Sequence, residues 1–483
     1  MTRVRLSNRL ASLRRPAMPL DDPASRAAHG EPASSARLAG IDWWAVAGLV
    51  VPMILLMVLA LRELGALSFW RDEVSSVLFA GGSLSKLLTI IGRDRDAVGL
   101  ANMATYYLLL HFWMFLGGTE EVVRLLSVVL GVASVVPIYF VARRIGGTLA
   151  AAVAAGTFAL TPFVIHFSQE ARGYSLAMLV AGALTWLLLI GMDRRDRLWP
   201  WLVYGVVGAL GLYVHFFVAL VILAHGVWTL ATRSVPPWRS VLAAALPLAL
   251  AIAPIPLVIL QYGGGHGWIA RLTPGLVANV LLGLAGGQIL LLLVALGIGA
   301  ALYMRAGDSR IWLLALVVFV PIAGAVAISV VKPMIVLRYF AVCVPAMATL
   351  VGVGVAAMPH KLWRIGSIAV LATALVLALP GVYGDGRGMD WRGAAAWIAA
   401  EGTSSDAMVA PIGREIIDYY LDRYDVAERP VGASIGRVQE GSFPRVWIVL
   451  KNGQSVDQTL AGYAVVSSRP FGRRLQVALL ERR

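Results

Sequence analysis

Residues 137–179 read "PIYFVARRIGGTLAAAVAAGTFALTPFVIHFSQEARGYSLAML", and the order of residue types in this stretch indicates how the chain folds. Arg143 and Arg144 separate two long apolar runs, and a polar turn, "HFSQEARG" (166–173), precedes a third run. A helix needs about 20 mostly apolar residues to cross the hydrocarbon core of a bilayer. The stretch therefore predicts consecutive membrane-spanning helices with connections that alternate between basic and polar.

The composition of the whole chain agrees with a membrane protein. Of its 483 residues, 59% are hydrophobic and 14% are charged, and the mean hydropathy is +0.77. Soluble domains usually carry about 25% charged residues. The net charge of +14 arises from Lys and Arg that lie mostly in short connections, so the expected partner is a lipid bilayer and not nucleic acid. Cys343, the single cysteine, lies in an apolar run and excludes an intramolecular disulfide.

The apolar runs predict a polytopic α-helical membrane protein with about eleven spans. The predicted spans are 43–61, 122–141, 148–165, 174–192, 199–214, 216–232, 240–260, 276–303, 311–330, 340–357 and 365–382.

Three domains are predicted from the changes in composition. Residues 1–40 form a disordered basic cytoplasmic tail, residues 41–382 form the transmembrane domain, and residues 383–483 form a small extracytoplasmic α/β domain. In the last of these, "DWRGAAAW" has a helical pattern, whereas "RVWIVLK" and "LQVALLERR" are typical of strands.

The orientation follows from the basic connections, since Lys and Arg concentrate in cytoplasmic loops. Arg143 with Arg144, "DRRDR" (193–197) and "HKLWR" (360–364) fall in alternate connections, which places the N-terminus in the cytoplasm and the C-terminal domain outside. Counting "ANMATYYLLLHFWMFLGG" (101–118) as a span would move every later loop to the opposite side of the membrane, and the basic loops would then face outward. We therefore interpret it as an interfacial helix, and residues 62–121 as one long outward loop that carries function.

The outward loop contains two adjacent carboxylates, Asp72 and Glu73, in "SFWRDEVSSVL" (68–78). Ionisable residues at the membrane are costly and usually functional. Either carboxylate can act as a general base towards a hydroxyl group, or the pair can coordinate a divalent cation, Mg²⁺ or Mn²⁺. The alternative is an interfacial charge cluster neutralised by Arg71.

Further candidate substrate-binding residues lie on the same predicted side of the membrane. In the turn after residue 166 they are Glu170, Arg172 and Tyr174, with a local pair of Glu170 and Arg172 that caps the next helix as the less favoured alternative. Arg338 and Lys332 are suited to a lipid-linked phosphate, with snorkelling helix-end cations as the alternative. The remaining candidates are His111 and Tyr106, in the interfacial segment.

Three motifs together carry a resemblance to a known family. They are "FWRDE" (69–73), "YYLLLHFWMFLGGTEEVVRLLSVVLG" (106–131) and the stretch of residues 137–179 quoted above. In this order they resemble the type C (GT-C) glycosyltransferases, in the branch of bacterial membrane sugar transferases similar to protein O-mannosyltransferases and aminoarabinose transferases.

The resemblance implies a polyprenyl-phosphate sugar donor, a glycan, lipid or protein hydroxyl as acceptor, and a bacterial plasma (inner) membrane location. It also implies inverting transfer of a mannosyl or pentosyl type with Asp72 as general base. No nucleotide cofactor is expected, because the chain lacks a GxxxxGK[ST] loop and a lipid phosphate is already a leaving group. A lipid-linked sugar transporter or flippase, and an inactive scaffold of envelope assembly, are the alternatives.

Overall fold

The structure of the protein is a computed structural model that describes residues 42–93, 102–255, 269–383, 388–426, 428–441, 443–454, 460 and 462–483. The predicted basic tail, residues 1–40, lies outside the described residues. Residues 44–483 form one compact unit, and the unit Met1–Trp43 is described only at Asp42 and Trp43.

The described part of the chain is helical up to residue 383. The helices are α1 (Trp43–Leu61), α2 (Arg71–Ala80), α3 (Leu84–Arg93), α4 (Ala104–Trp113), α5 (Glu120–Leu160), α6 (Pro162–Ser168), α7 (Tyr174–Asp193), α8 (Trp199–Leu212), α9 (Val218–Ala231), α10 (Trp238–Ile252), α11 (Pro274–Ala285), α12 (Gln288–Met304), α13 (Ser309–Ser329), α14 (Val344–Ala357), α15 (Lys361–Ala378) and α16 (Pro380–Tyr383). Short 3-10 turns cover Met114–Leu116 and Leu337–Cys343.

Each predicted span overlaps one or two of these helices, and the last residues of the span 240–260 lie outside the described residues. Among the described residues, six helices are long and apolar enough to cross a membrane, or seven if α11 and α12 count as one bent span. α8, α9 and α10 are apolar but shorter. The polytopic α-helical fold is confirmed, whereas the number of eleven spans stays a prediction.

α5 joins two of the predicted spans, 122–141 and 148–165, within one element of 41 residues that ends at Leu160. Gly147, with φ 81° and ψ −172°, interrupts the helical conformation between them. This region of backbone space is essentially restricted to glycine. Gly131, in the first half, lies against Ser168, which follows the second half, so Gly147 is the turn between two helices that run back alongside each other.

The predicted span 276–303 is two helices, and the break falls within "GLAGGQ" (283–288), where the sequence allows one. α11 and α12 are bent by 81° relative to each other. Gly286 and Gly287 make the turn with φ of 93° and 130°.

The centre of the helical part is packed through small residues. α5, α7 and the helix that ends at Ala357 are largely buried, whereas α1 and α15 are largely exposed. On α14, a side chain at Gly352 would clash with the carbonyl oxygen of Ala150, and one at Gly354 with that of Gly297. Small residues let membrane helices approach closely enough for backbone contact. Larger residues at these two positions would force α5 and α12 away from α14.

α4, within the segment predicted to be interfacial, is a helix of 10 residues. At 1.5 Å per residue it is about 15 Å long, half of the roughly 30 Å needed to cross the hydrocarbon core. Phe112 and Phe115, at its end and in the following turn, are exposed. A short helix with exposed aromatic residues fits the predicted interfacial position, which itself stays a prediction.

The part of the chain after residue 388 forms a sheet with helices. Its described elements are α17 (Trp391–Glu401), β1 (Ala407–Val409), α18 (Arg414–Arg423), β2 (Val431–Gly432), α19 (Ile435–Glu440), β3 (Arg445–Lys451), β4 (Tyr463–Phe471) and β5 (Leu475–Arg482). The strand order is β2-β1-β3-β5-β4, with β1 parallel to its neighbours and β5 antiparallel to its own. The helix and the two strands predicted here are confirmed as α17, β3 and β5, while the boundary at residue 383 stays a prediction.

Asp406, immediately before β1, is expected to make this sheet acid-sensitive. It is fully buried and accepts hydrogen bonds from Arg445, Trp447 and the backbone N–H of Thr403. Burial opposes the charge, but the hydrogen bonds from Arg445, Thr403 and Trp447 outweigh it, and the pKa of Asp406 is lowered. The stabilisation is therefore complete above the ordinary aspartate pKa of about 4 and is lost as the pH falls through the lower folded value.

The substitution Asp406→Asn should reduce the free energy of unfolding at neutral pH by about 1.5–3 kcal/mol, because hydrogen bonds to a charged group are lost. It should also flatten the pH dependence between about pH 5 and pH 2. Denaturant unfolding of the full chain at several pH values measures both effects. Asp418→Asn, at a half-exposed ion pair with Arg414, is the matched control. An unchanged pH dependence in Asp406→Asn would contradict the prediction.

Candidate active site

The site is built around the first turn of α2, where Asp72 and Glu73 follow Trp70. Carboxylates at a helix N-terminus are stabilised by the unpaired backbone N–H groups and the helix dipole. Because an α-helix has 3.6 residues per turn, the side chains of adjacent residues point about 100° apart. The two carboxylates consequently have different surroundings.

Glu73 is a buried structural anchor. Its Oε1 accepts hydrogen bonds from Arg124 Nε at 2.8 Å and from the backbone N–H of Ala171 at 2.9 Å. Its Oε2 accepts hydrogen bonds from Arg124 Nη2 at 2.7 Å and from the backbone N–H of Trp70 at 3.3 Å. A carboxylate has about four lone-pair positions, and all four are engaged. Glu73 was predicted as a catalytic or metal-binding residue, and these contacts instead support a positioning role.

Arg124 completes this anchor from α5. Besides Glu73, its guanidinium donates to the carbonyl oxygens of Leu64 and Leu67, both at 2.8 Å, and of Ser68 at 3.2 Å. The five N–H groups of the guanidinium are thus all used. The pair is almost fully buried, with side-chain exposures of 5% for Arg124 and 1% for Glu73. It fixes the loop before α2 to the membrane helices.

Asp72 faces a different environment, between two guanidinium groups. Its Oδ2 lies 3.8 Å from Arg172 Nη2 and 3.5 Å from Arg338 Nη2. Its side chain is 25% exposed, so it remains accessible to a substrate. Arg338 also lies over the ring of Trp70, 5.8 Å from the centroid. The structure therefore brings together three of the predicted residues, Asp72, Arg172 and Arg338, from distant parts of the chain.

Arg172 is held in place by polar groups of three elements. Its Nη1 donates to the hydroxyl oxygen of Tyr107 at 3.0 Å and lies 3.4 Å from Ser76 Oγ. Burial opposes its charge, but Tyr107, Tyr174 and Asp72 outweigh burial, and the pKa of Arg172 is raised. Arg172 is a permanent cation in this site.

Three aromatic residues lie beside the two guanidinium groups. The ring centroid of His215 lies 6.1 Å from that of Tyr174 and 4.9 Å from that of Tyr339. Tyr174 and His215 are buried. Tyr174 is therefore placed at the site as predicted, while its role in binding stays a prediction.

His215 is a site residue that the sequence did not single out. Burial, followed by the nearby charges of Arg172 and Arg338, lowers the pKa of His215 to about 3, so the ring is neutral. The backbone N–H of Phe217 donates to Nδ1 at 3.2 Å, so Nε2 carries the proton. Among the described residues, Nε2 has no hydrogen-bond partner. His215 thus offers a buried neutral donor next to two cations.

A cavity of about 420 Å³ opens beside Glu73 and Arg338, between the helical part and the C-terminal sheet domain. Trp70, Glu170, Arg338 and Trp391 are among its lining residues. Glu170 pairs with Nε2 of His166 at 3.1 Å. A second cavity of about 390 Å³ adjoins the first across shared residues such as Ser68 and Met389. The volume is sufficient for a sugar unit.

Three other predicted residues lie away from both cavities. The hydroxyl of Tyr106 hydrogen-bonds with Ser127 at 2.9 Å, and His111 Nδ1 donates to the carbonyl oxygen of Ala80 at 2.8 Å. These contacts attach α4 to α5 and to the end of α2. Lys332 follows α13 and does not line either cavity. The contacts therefore indicate supporting roles for Tyr106 and His111, and the role of Lys332 in donor binding stays a prediction.

The described residues at this site do not fit a divalent cation. Asp72 faces two cations, Glu73 has its acceptor positions filled, and no group of three His, Cys, Asp or Glu among the described residues could hold a metal ion. The predicted use of Mg²⁺ or Mn²⁺ stays a prediction.

Residues 102–259 match the family model described as dolichyl-phosphate-mannose-protein mannosyltransferase. No curated protein sequence is significantly similar to the chain.

Solved structures resemble the chain over most of its length. The crystal structure of ArnT from Cupriavidus metallidurans bound to undecaprenyl phosphate is 15% identical, with a TM-score of 0.62, over 90% of this chain and 98% of that chain. Its apo form is 16% identical with the same TM-score and coverage. The oligosaccharyltransferase from Archaeoglobus fulgidus tethered with an acceptor peptide is 12% identical, with a TM-score of 0.50, over 85% of this chain and 69% of that chain. The chain has the fold of the type C glycosyltransferases, and the resemblance predicted from the sequence is confirmed.

Proposed function

We propose that the protein transfers a monosaccharide from a polyprenyl-phosphate donor to a hydroxyl acceptor, with inversion at the anomeric carbon and Asp72 as general base. The observation that carries the proposal is the position of Asp72. It is partly exposed and lies within 4 Å of both Arg172 and Arg338, and Arg338 lines a cavity of about 420 Å³. A base beside two cations suits a reaction in which a hydroxyl is deprotonated while a phosphate leaves.

The proposed step has a simple balance. Asp72 takes the proton of the acceptor hydroxyl as the acceptor oxygen forms a bond to the anomeric carbon. The bond from that carbon to the donor phosphate oxygen breaks, and its electron pair remains on the polyprenyl phosphate. Arg172 and Arg338 stabilise the charge that develops on this phosphate, and attack from the opposite face inverts the configuration.

An apolar groove of about 790 Å³ supports a lipid-linked donor. Its lining residues come from the start of α12 and from α15, and include Gly287, Ile289 and Leu377. The preceding helix, α11, packs through Gly283 against Leu337, the neighbour of Arg338. The groove thus adjoins the helix pair that borders the proposed phosphate site, and the similar ArnT structure holds undecaprenyl phosphate. We assign the polyprenyl chain of the donor to this groove.

The test is an assay of the full-length protein in liposomes with a panel of radiolabelled polyprenyl-phosphate sugars and candidate acceptors. The expected result is a labelled acceptor and an equal amount of released polyprenyl phosphate, absent in Asp72→Asn. Movement of intact labelled donor across the bilayer without transfer would instead support a transporter or flippase. Neither transfer nor movement with any donor would support the inactive scaffold.

Arg338→Lys should weaken donor binding about tenfold although the charge is kept. Arginine holds a phosphate through two parallel N–H groups, whereas lysine offers a single point of charge. Losing one hydrogen bond to a charged group costs about 1.5–3 kcal/mol. The dissociation constant of a polyprenyl phosphate, measured in nanodiscs, checks the effect.

Arg469→Lys is the matched control for Arg338→Lys. Arg469 also lies over a tryptophan ring, that of Trp397 at 4.3 Å, but belongs to β4 of the C-terminal sheet. Donor affinity should be unchanged in the control. Equal affinity in both variants would remove Arg338 from the donor site.

A further inference from the structure

The C-terminal sheet domain contacts the chain segment directly before Asp72. The backbone N–H of Phe69 donates to the hydroxyl oxygen of Tyr420, in α18, at 2.7 Å. The same hydroxyl donates to Oε1 of Glu120, at the start of α5, at 2.9 Å. Tyr420 is 1% exposed and Glu120 is 4% exposed. One buried hydroxyl thus connects the sheet domain with the start of α5 and with the segment directly before α2, the helix that carries Asp72.

The direction of these hydrogen bonds is fixed by charge. Arg392 Nη1 lies 3.4 Å from Oε1 of Glu120 and stabilises its carboxylate. Burial and the charge of Glu120 raise the pKa of Tyr420, so its hydroxyl stays protonated at physiological pH. The hydroxyl therefore donates to Glu120 and has a lone pair free to accept from Phe69.

Neighbouring contacts fasten the same segment. Ser68 Oγ donates to the carbonyl oxygen of Met389 at 3.0 Å and accepts from the backbone N–H of Trp391 at 3.0 Å. Arg71 pairs with Glu415 at 2.6 Å, although the exposure of both side chains makes this a weak contribution. The buried hydroxyl of Tyr420 thus holds the backbone N–H of Phe69, three residues before Asp72.

We infer that Tyr420 is a positioning residue for Asp72, supplied by the C-terminal domain, an inference that rests on the proposed function. The hydrogen bond to Phe69 sets where α2 begins, and so where the Asp72 carboxylate lies relative to Arg172 and Arg338. Misplacing a catalytic group by about 1 Å can cost about a hundredfold in rate. Tyr420 does not line the described cavities, so it acts on the chemistry only through Asp72.

The test is Tyr420→Phe, which removes one hydroxyl and keeps the ring. We expect kcat to fall about tenfold to a hundredfold, while the KM for the donor stays within a factor of two or so, because Arg172 and Arg338 are untouched. Hydrogen exchange of the peptide containing Phe69 should become faster. Tyr419→Phe is the matched control, since Tyr419 is the preceding residue of α18 and its hydroxyl contacts Arg423 instead.

A double substitution separates positioning from general stability. In the Asp72→Asn background, Tyr420→Phe should cause no further loss of the residual rate, because there is no base left to position. The inference is overturned if Tyr420→Phe keeps the wild-type kcat, or if the two losses multiply.

Two further outcomes stay distinguishable. Should Tyr420→Phe not fold, Glu120→Gln tests the same link, with a smaller fall in kcat expected and an unchanged kcat contradicting the inference. Full activity of Asp72→Asn would refute the proposed function itself, whereas an inactive Asp72→Asn beside a normal Tyr420→Phe would refute the inference alone.

Discussion

Asp72→Asn is expected to lower the rate of sugar transfer by about 10²–10⁴, the usual contribution of a general base. Asparagine keeps the size and hydrogen-bonding capacity of the side chain but has no oxygen basic enough to take a proton. Arg172 and Arg338 would also lose the charge that lies within 4 Å of both. Donor affinity should therefore be preserved or slightly increased, and single-turnover assays with labelled donor measure rate and affinity separately.

The control for Asp72→Asn is the same substitution at Asp418, whose half-exposed carboxylate pairs with Arg414 on the surface of α18. That variant should transfer sugar at the wild-type rate. Near-normal transfer by Asp72→Asn itself would show that Asp72 is not the base, and the two-guanidinium arrangement would then be an interfacial charge cluster.

Glu73→Gln is expected to reduce the free energy of unfolding by about 3–5 kcal/mol, which is a large fraction of the stability of a typical domain. The substitution leaves the buried charge of Arg124 without its partner. The amide group of glutamine would also direct N–H donors towards a site that now offers four of them. Unfolding in mixed detergent micelles, followed by far-ultraviolet circular dichroism, measures the change.

Glu415→Gln provides the comparison for Glu73→Gln, because Glu415 also pairs with an arginine, Arg71, but at the surface. Exposed pairs contribute about 0–1 kcal/mol, so this variant should be nearly as stable as the wild type. If Glu73→Gln proved equally stable yet inactive, Glu73 would have a chemical role and the predicted catalytic pair would be correct.

Much of the helical architecture could be predicted because each membrane helix is encoded by one continuous apolar run of the sequence. The apolar runs located every long helix, and the Lys and Arg residues marked the connections. The turn at Gly147 falls in the predicted connection between the spans 122–141 and 148–165. The bend of 81° at Gly286 and Gly287 could not be predicted in this way, because it depends on how the helices pack, as with Pro162 beside Gly286.

The candidate site shows where local patterns stop being sufficient. Asp72, Arg172 and Arg338 each stood out as charged residues at the end of an apolar run, and the fold brings them together. The different roles of Asp72 and Glu73 could not be predicted from the sequence, in which they are simply two adjacent carboxylates. They depend on Arg124, which lies 51 residues away inside an apolar helix. His215 was missed because a buried histidine between aromatic residues looks like ordinary packing.

The hydrogen bond between Phe69 and Tyr420 can form only late in the synthesis of the chain. Phe69 and Tyr420 are separated by 351 residues. At roughly 5–20 residues per second, a ribosome needs about 20–70 s to travel between their codons. During that interval the helix that carries Asp72 has been translated, but the hydrogen bond from Phe69 to Tyr420 has not formed. The contact that positions Asp72 would therefore form only after residue 420 has been translated, and a chain truncated after residue 383 would lack it.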